Sequence, residues 1–433
     1  MSCQPVSSSR HVFLGHVEIE IIATDDRLSA ARSPAAWVKG MAILPFGLAL
    51  GFMGTALPFL LTRQGVALDR VAKISAAVFL PTVWAFLFKP FLDSGFRRST
   101  YCLILTATAS LGLAIGVAML TPSYLWIAVP ALTVATFSMV LYSGSALGWM
   151  AQVTGDHERG AVGGWINVAS LGSGALGSNA VMSLLKDAIV SQRTAGLLMG
   201  GLVWLGATPL LFFPKPLPPQ FGLHQVFTKT MAAIWRSVRR RECLVGFALL
   251  LSPAAGTAVG NLQSGLGKDF HASETTVIWL TGIASAIACS IGSLVGGRLA
   301  DRFPRGYVYL FSGLGTAVTA IATALLPRTA AVFIASTLLY NLGVGFIYAS
   351  YSALGLELTG DSPVGATQLG LFAAAMNLSV NYMTRADGFG YHRAGATGLY
   401  LVDGLASVVC IVPLLFLVRA GRKRRAAKAT VAA

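Results

Sequence analysis

The chain has 433 residues, 55% hydrophobic and only 11% charged, with a mean hydropathy of +0.69. A soluble domain carries about 25% charged residues, so this chain lacks the polar material to cover a water-facing surface, and its composition points to an integral membrane protein. The formal net charge of +15 raises nucleic acid as a partner, but the basic residues fall where membrane topology places them, which removes that reading.

Residues 1–35 are polar, with Glu18, Glu20, Asp25 and Asp26 and no long apolar core of a signal peptide. They are expected to form a cytoplasmic tail, with the first span acting as the insertion signal. An apolar run of about 20 residues can cross a bilayer as a helix. Such runs recur near 36–62, 71–94, 99–120, 124–150, 160–184, 193–213, 243–263, 274–299, 306–326, 330–356, 365–386 and 396–419. The widest break, PKPLPPQFGLHQVFTKTMAAIWRSVRRRE at 214–242, divides these twelve into six and six. The expected domains are a six-helix bundle over 36–213, a cytoplasmic linker over 214–242, a second bundle over 243–419 and a basic tail over 420–433.

With both ends cytoplasmic, 23 of the 32 Lys and Arg lie inside and 9 outside. The inside set includes Arg97, Arg98, Arg239, Arg240, Arg241 and the tail run Arg422–Arg425. This is a positive-inside bias, and the tail run is also placed to meet anionic lipid. Four of the five cysteines, Cys102, Cys243, Cys289 and Cys410, sit in or beside apolar runs, without C-x-x-C spacing. They read as small packing residues rather than disulfides or metal ligands.

The two halves share a pattern. SALGWMAQVTGD at 145–156 is answered by SALGLELTGD at 352–361, and KPFLDSGFRR at 89–98 by RLADRFPR at 298–305. Ser145 and Ser352 are 207 apart, Asp156 and Asp361 205, and Asp93 and Asp301 208. Matches at offsets within three residues of one another indicate a duplicated six-helix unit, a common way to build a transporter with its site between the repeats.

The stretch GGRLADRFPRG at 296–306 lies between two apolar runs. It resembles the loop signature of the major facilitator superfamily, roughly G-x-L-A-D-R-x-G-R-R. Gly297, Leu299, Ala300, Asp301, Arg302 and Arg305 match, with Pro304 where the family often has glycine. In the first half Asp93, Gly95, Arg97 and Arg98 survive, and Lys89-Pro90 replaces the glycine start. The resemblance implies an all-α membrane protein of twelve transmembrane helices in two pseudo-repeated six-helix bundles. It also implies a conformational latch of Gly297, Asp301, Arg302, Arg305, Asp93 and Arg97. Gly296 and Gly297 are expected to let another helix approach closely. Asp301 is expected to face the start of span 11 near Ser362-Pro363, a good N-cap and N1 pair.

SPVGATQLGLFAAAMNL at 362–378 and FLFKPFLD at 86–93 are similar to the peptide–acetyl-CoA transporter group, which includes muropeptide and siderophore permeases. Span 4 here, TFSMVLYSGSALGWMA, has no acid where muropeptide permeases carry one.

Charge inside a bilayer is costly and usually functional. Asp403, in LYLVDGLAS, is the candidate for carrying a coupled proton, since burial favours a protonated carboxyl; pairing with Arg385 or Arg393 is the structural alternative. Uncharged candidates for solute contact are Trp84, Asn261, Gln263, Asn341, Asn377, Asn381 and Tyr382, with Arg385. Asn377, Asn381 and Arg385 are spaced four and four, so they share one helix face. That stripe either lines a watery cavity, where Arg385 suits an anionic solute, or packs against protein. Asp156-His157-Glu158-Arg159 reads as a solvated helix cap.

No P-loop GxxxxGKS/T and no His or Cys cluster is present, so neither an enzyme, a cofactor nor a metal is expected. The expected function is a monomeric, proton-coupled secondary transporter taking up a small, siderophore- or peptide-like solute across the inner membrane. An exporter of the same fold and a non-transporting membrane assembly factor stay open.

Overall fold

A computed structural model of the chain describes residues 34–155, 158–216, 239–359 and 365–432, with isolated positions between 218 and 235. The expectations for Asp156, His157, Asp361 and the Ser362-Pro363 cap, and those for tail residues 1–33 and most of the linker, lie outside the described residues.

Every regular element among the described residues is helical. The first half holds α1 (Ala36–Arg63), α2 (Leu68–Leu92), α3 (Arg98–Ala118), α4 (Pro122–Val153), α5 (Val162–Lys186) and α6 (Gln192–Phe212). In the second half, α7 starts as Arg241–Leu251, and α8 (Glu274–Arg302), α9 (Arg305–Leu325) and α10 (Ala330–Thr359) follow. The last helical stretch, Gly365–Ala432, departs from helical backbone at Ala394 and Gly395, where Gly395 has a φ of 59°. A Cβ on Gly390 would lie 2.5 Å from the Gly398 carbonyl oxygen. Residues eight apart in a continuous helix are about 12 Å apart along its axis. The stretch is therefore a hairpin of α11 (365–393) and α12 (396–432), and glycine supplies the left-handed turn.

Ten of the described helices are long and apolar enough to cross a membrane, counting the hairpin as one. Large apolar side chains such as Leu111 on α3, Leu197 on α6, Leu294 on α8 and Val409 on α12 are exposed on the outside. Water would not tolerate such a surface; lipid does.

The expected span 243–263 is not one helix. It ends at Leu251 and continues as short 3₁₀ turns at Pro253–Ala255, Ala258–Asn261, Gln263–Gly265 and Gly267–Phe270. Pro253 has no N–H to offer, so the helix cannot propagate. The carbonyls thus freed cannot turn to water inside a bilayer. Side chains meet them instead: Ser252 Oγ donates to the Leu249 carbonyl at 2.8 Å, Tyr382 Oη to Leu251 at 2.7 Å, Ser379 Oγ to Ser252 at 2.8 Å and Ser407 Oγ to Pro253 at 2.7 Å. The hydroxyls of α11 and α12 thereby hold the broken helix in place.

Small residues bring helices together within each half. Gly51 of α1 lies on Gly174 of α5, and Gly292 and Gly296 of α8 lie on Leu342, Gly345 and Phe346 of α10. Gly297 faces open space. This corrects the expected role of the glycine pair: at one residue per 100° of turn, only Gly296 points at a neighbour. The duplication shows in side chains. Arg98, opening α3, reaches the Gly144 and Ser145 carbonyls of α4 at 3.5 Å. Arg305, opening α9, pairs with Glu357 of α10 at 3.6 Å. The two arginines are 207 residues apart, the Ser145–Ser352 offset.

The halves meet at the ends of the helices farthest from the chain's two ends. Ser264 Oγ donates to the Thr55 carbonyl at 2.7 Å, Arg63 pairs with Glu274 at 3.4 Å and Lys186 Nζ donates to Thr275 at 2.7 Å. His392 of α11 faces Asp69 of α2 at 3.6 Å. Nearer the chain ends, α11 touches α2 where Gly370 lies beside Phe86 and Lys89.

Candidate functional site

Polar side chains gather in the second half, around the break in α7. Asp403 of α12 is 1% exposed, and its Oδ2 accepts from the Tyr340 hydroxyl of α10 at 3.3 Å. The same hydroxyl lies 3.4 Å from the Gly256 carbonyl in the break. Asn341 donates to Gln263 Oε1 at 2.8 Å, and Asn261 to Thr384 Oγ1 of α11 at 3.4 Å. The α7 break thus brings Asn261 and Gln263 to α11 and α10, two contacts that residue type alone did not specify.

Asp387, on the same turn of α11 as Thr384, is fully buried, and neither carboxylate oxygen has a hydrogen-bond partner. It interacts electrostatically with Asp403. Sequence reasoning did not single out Asp387. The available signal was the repeated Asp-Gly, Asp387-Gly388 and Asp403-Gly404. In each, the glycine takes a tight interhelical contact, Gly388 on Ala72 and Gly404 on Ile321, which carries the acid before it into the protein. Asp403 does not pair with arginine: Arg385 is exposed and Arg393 lies over the Phe389 ring at 5.0 Å.

The stripe on α11 divides. Asn377 donates to the Thr82 carbonyl at 3.3 Å and Asn381 to Ala76 at 2.5 Å, both on α2 of the other half. Arg385 is exposed, so the guanidinium does not share the buried surroundings of the amides. Tyr382 is engaged with the α7 break, as described above. Trp84 of α2 is half-buried and stacks on Phe137 of α4 at 4.9 Å between ring centroids.

At the end away from the termini, Asp269 accepts from the Tyr391 hydroxyl at 3.1 and 3.2 Å. Burial pushes the Asp269 carboxyl up, while the Tyr391 hydrogen bond and Arg328 act against that rise. Arg328 also lies over the Phe270 ring at 4.8 Å. In the first half, Lys39 of α1 is fully buried and pairs with Glu158. Glu158 is therefore not part of a merely solvated cap: it is drawn inward to a buried lysine.

Residues 245–432 match the family model of the Major Facilitator Superfamily. The whole architecture is similar to solved transporters. A POT family transporter in complex with a thioalcohol-conjugated peptide has a TM-score of 0.70 at 11% identity, covering 89% of this chain and 96% of that one. A D-xylose-proton symporter has 0.67 at 15%, covering 88% and 96%. The nucleoside transporter NupG has 0.63 at 15%, covering 88% and 97%. The chain has the major facilitator fold. No curated protein matches it in sequence.

Within the major facilitator fold, the signature loop joins α8 to α9. Asp301 and Arg302 are exposed there, and Arg305 makes the Glu357 pair. Among the described residues Asp301 has no ion pair. In the first half Arg97 is exposed just before α3, and Asp93 ends the 3₁₀ tail of α2 that Pro90 imposes.

Proposed function

We propose that this chain is a secondary active transporter that moves a small polar organic solute by alternating access. The observation that supports this most is the uneven meeting of the halves: α1 against α7 and α5 against α8 at the ends away from the termini, and α2 against α11 along more of their length. Two six-helix units in contact at one side can rock about a site between them. Trp84, Asn377 and Asn381 stand along that junction. Asn261, Gln263, Asn341 and Tyr382 hold the α7 break that borders it. The similar structures are of a nucleoside transporter, a D-xylose–proton symporter and a POT family transporter in complex with a conjugated peptide.

Proton coupling through Asp403 belongs to the same reading. A buried carboxyl with a single hydroxyl partner is costly when charged, so it exchanges its proton with a change in surroundings. The positive-inside bias puts both termini in the cytoplasm and the packed ends outside, in the inner membrane. The packing of the outer ends supports reading this as an inward-facing state. The likeness of 362–378 to siderophore and peptide permeases supports uptake. Asp301, Arg302, Arg305, Asp93, Arg97 and Gly297 form the latch of the opposite state, which is why Asp301 lies free here.

The test is flux in proteoliposomes carrying an internal pH dye, challenged in turn with nucleosides, pentoses, short peptides and ferric siderophores. Symport predicts internal acidification with one solute class, lost in Asp403→Asn while solute binding persists. Solute-driven proton exit identifies an exporter. No proton or solute movement with the whole panel favours an assembly factor.

A further inference from the structure

We propose that Asp387 and Asp403 form one proton-binding site, a carboxyl–carboxylate pair whose single proton stabilises the packing of α7 and α11 against α1 and α2. The proposal rests on the proton-coupled reading of Asp403 and adds its second member.

The geometry carries it as follows. Both acids lie in the bundle, 0% and 1% exposed, and among the described residues no cation pairs with either. Three of their four oxygens have no hydrogen-bond partner. The fourth, Asp403 Oδ2, receives the Tyr340 hydroxyl. The Tyr400 hydroxyl, also buried, interacts electrostatically with Asp403. The turn that sets Gly390 against Gly398 brings Asp387 and Asp403 to about one level of the hairpin, and two like charges buried together are costly. One shared proton gives an orphaned oxygen a donor and leaves a single negative charge for the tyrosines to face. Such a pair titrates as a unit rather than as two separate residues.

The proton is favoured over an alkali cation because, apart from the two carboxylates, the polar side chains around the α7 break are engaged. Gln263 Oε1 accepts from Asn341 and Thr384 Oγ1 from Asn261. A hard metal cation needs a shell of free oxygens.

The site touches both segments that close the outer side. Tyr340 links Asp403 to Gly256 in the α7 break, and that segment runs on to Ser264, which bonds Thr55 of α1. Asp387 precedes Gly388, which abuts Ala72 and Asp69 of α2. Other titratable groups stand around the pair. Tyr340 comes from α10 and Tyr400 from α12, with Arg328 and Asp269 beyond Tyr400; Asp69, Lys73 and His392 lie at the α2–α11 contact. Among the described contacts, α9 presents Ala317 and Ile321 at Gly404, and the α7 break adds no titratable group beside Tyr340. Loss of the shared proton places two charges between α11 and α12, and α11 shifts off α2.

The experiment is infrared difference spectroscopy on the purified full-length protein in lipid, titrated with protons alone. The wild type should show one carboxyl C=O band lost in a single step as the pH is raised. Asp387→Asn and Asp403→Asn should each abolish or move that step. The double Asn variant removes both charges with little change of shape and should be silent; its size-exclusion profile checks folding. A step unchanged in Asp387→Asn and lost in Asp403→Asn overturns the pair and leaves Asp403 alone. A step unchanged in both variants overturns the pair and the Asp403 reading together. A band moved by sodium at fixed pH makes the site a metal-cation site and overturns the proposal. Spin labels on Asp187→Cys and His271→Cys, in an otherwise cysteine-free chain with both acids intact, report the outer side. Their separation should grow as the band is lost; a constant separation overturns the link to packing.

Discussion

A buried lysine shows how one residue's neighbours decide its meaning. Lys39 stands near the start of an apolar run and is fully buried against Glu158. Removing one member of a buried pair leaves an uncompensated charge and costs about 3–5 kcal/mol, whereas replacing both with apolar groups of similar volume is often neutral. Glu158→Gln should therefore lower thermal stability in detergent strongly, and Lys39→Met combined with Glu158→Leu should restore most of it. Equal losses in the single and double variants, measured by unfolding midpoint, would mean the pair is not the source. The same logic separates Arg385, exposed and free of the buried network, from Asp387, two residues on and fully enclosed.

Among elements, α8 and α10 pack through glycine. A Cβ at Gly296 would lie 2.8 Å from the Phe346 Cα, and one at Gly292 would overlap the Leu342 carbonyl oxygen. Backbone cannot yield as a flexible side chain does, and overpacking costs about 1–3 kcal/mol or more. Gly292→Leu should lower the unfolding midpoint, whereas Gly297→Leu, which faces open space, should leave it near wild type. A neutral Gly292→Leu would contradict this packing. The α7 break has a cause of the same kind. Its Pro253 was visible in the sequence, but the hydroxyls that receive the freed carbonyls come from helices more than 100 residues away. Periodicity therefore called for a continuous span, because it counts apolar residues and does not see where a backbone finds partners.

For the whole molecule, the charge distribution predicts that both termini share one side. Reporter fusions after Ala433 and after Leu120 should report opposite compartments; the same compartment for both would refute the twelve-span path. The latch belongs to the state not seen here. Asp301→Asn should impair transport while leaving protein in the membrane, and Asp93→Asn should impair it less because the first-half motif is degraded. Equal and negligible effects on solute flux would remove the latch.

Sequence alone determined that the chain crosses a membrane many times, that it is a doubled unit, and that Asp403 is an acid in an apolar run. These are properties of composition and spacing, and a bilayer enforces them locally, span by span. Tertiary structure alone decided that Asp387 joins Asp403, that Asn377 and Asn381 face the other half while Arg385 does not, and that Gly296 rather than Gly297 receives a neighbour. Each of those depends on the rotation of one helix about its axis. That rotation is set by packing against helices distant in the chain, and in a helix apolar on most faces the pattern of hydrophobic residues does not specify it.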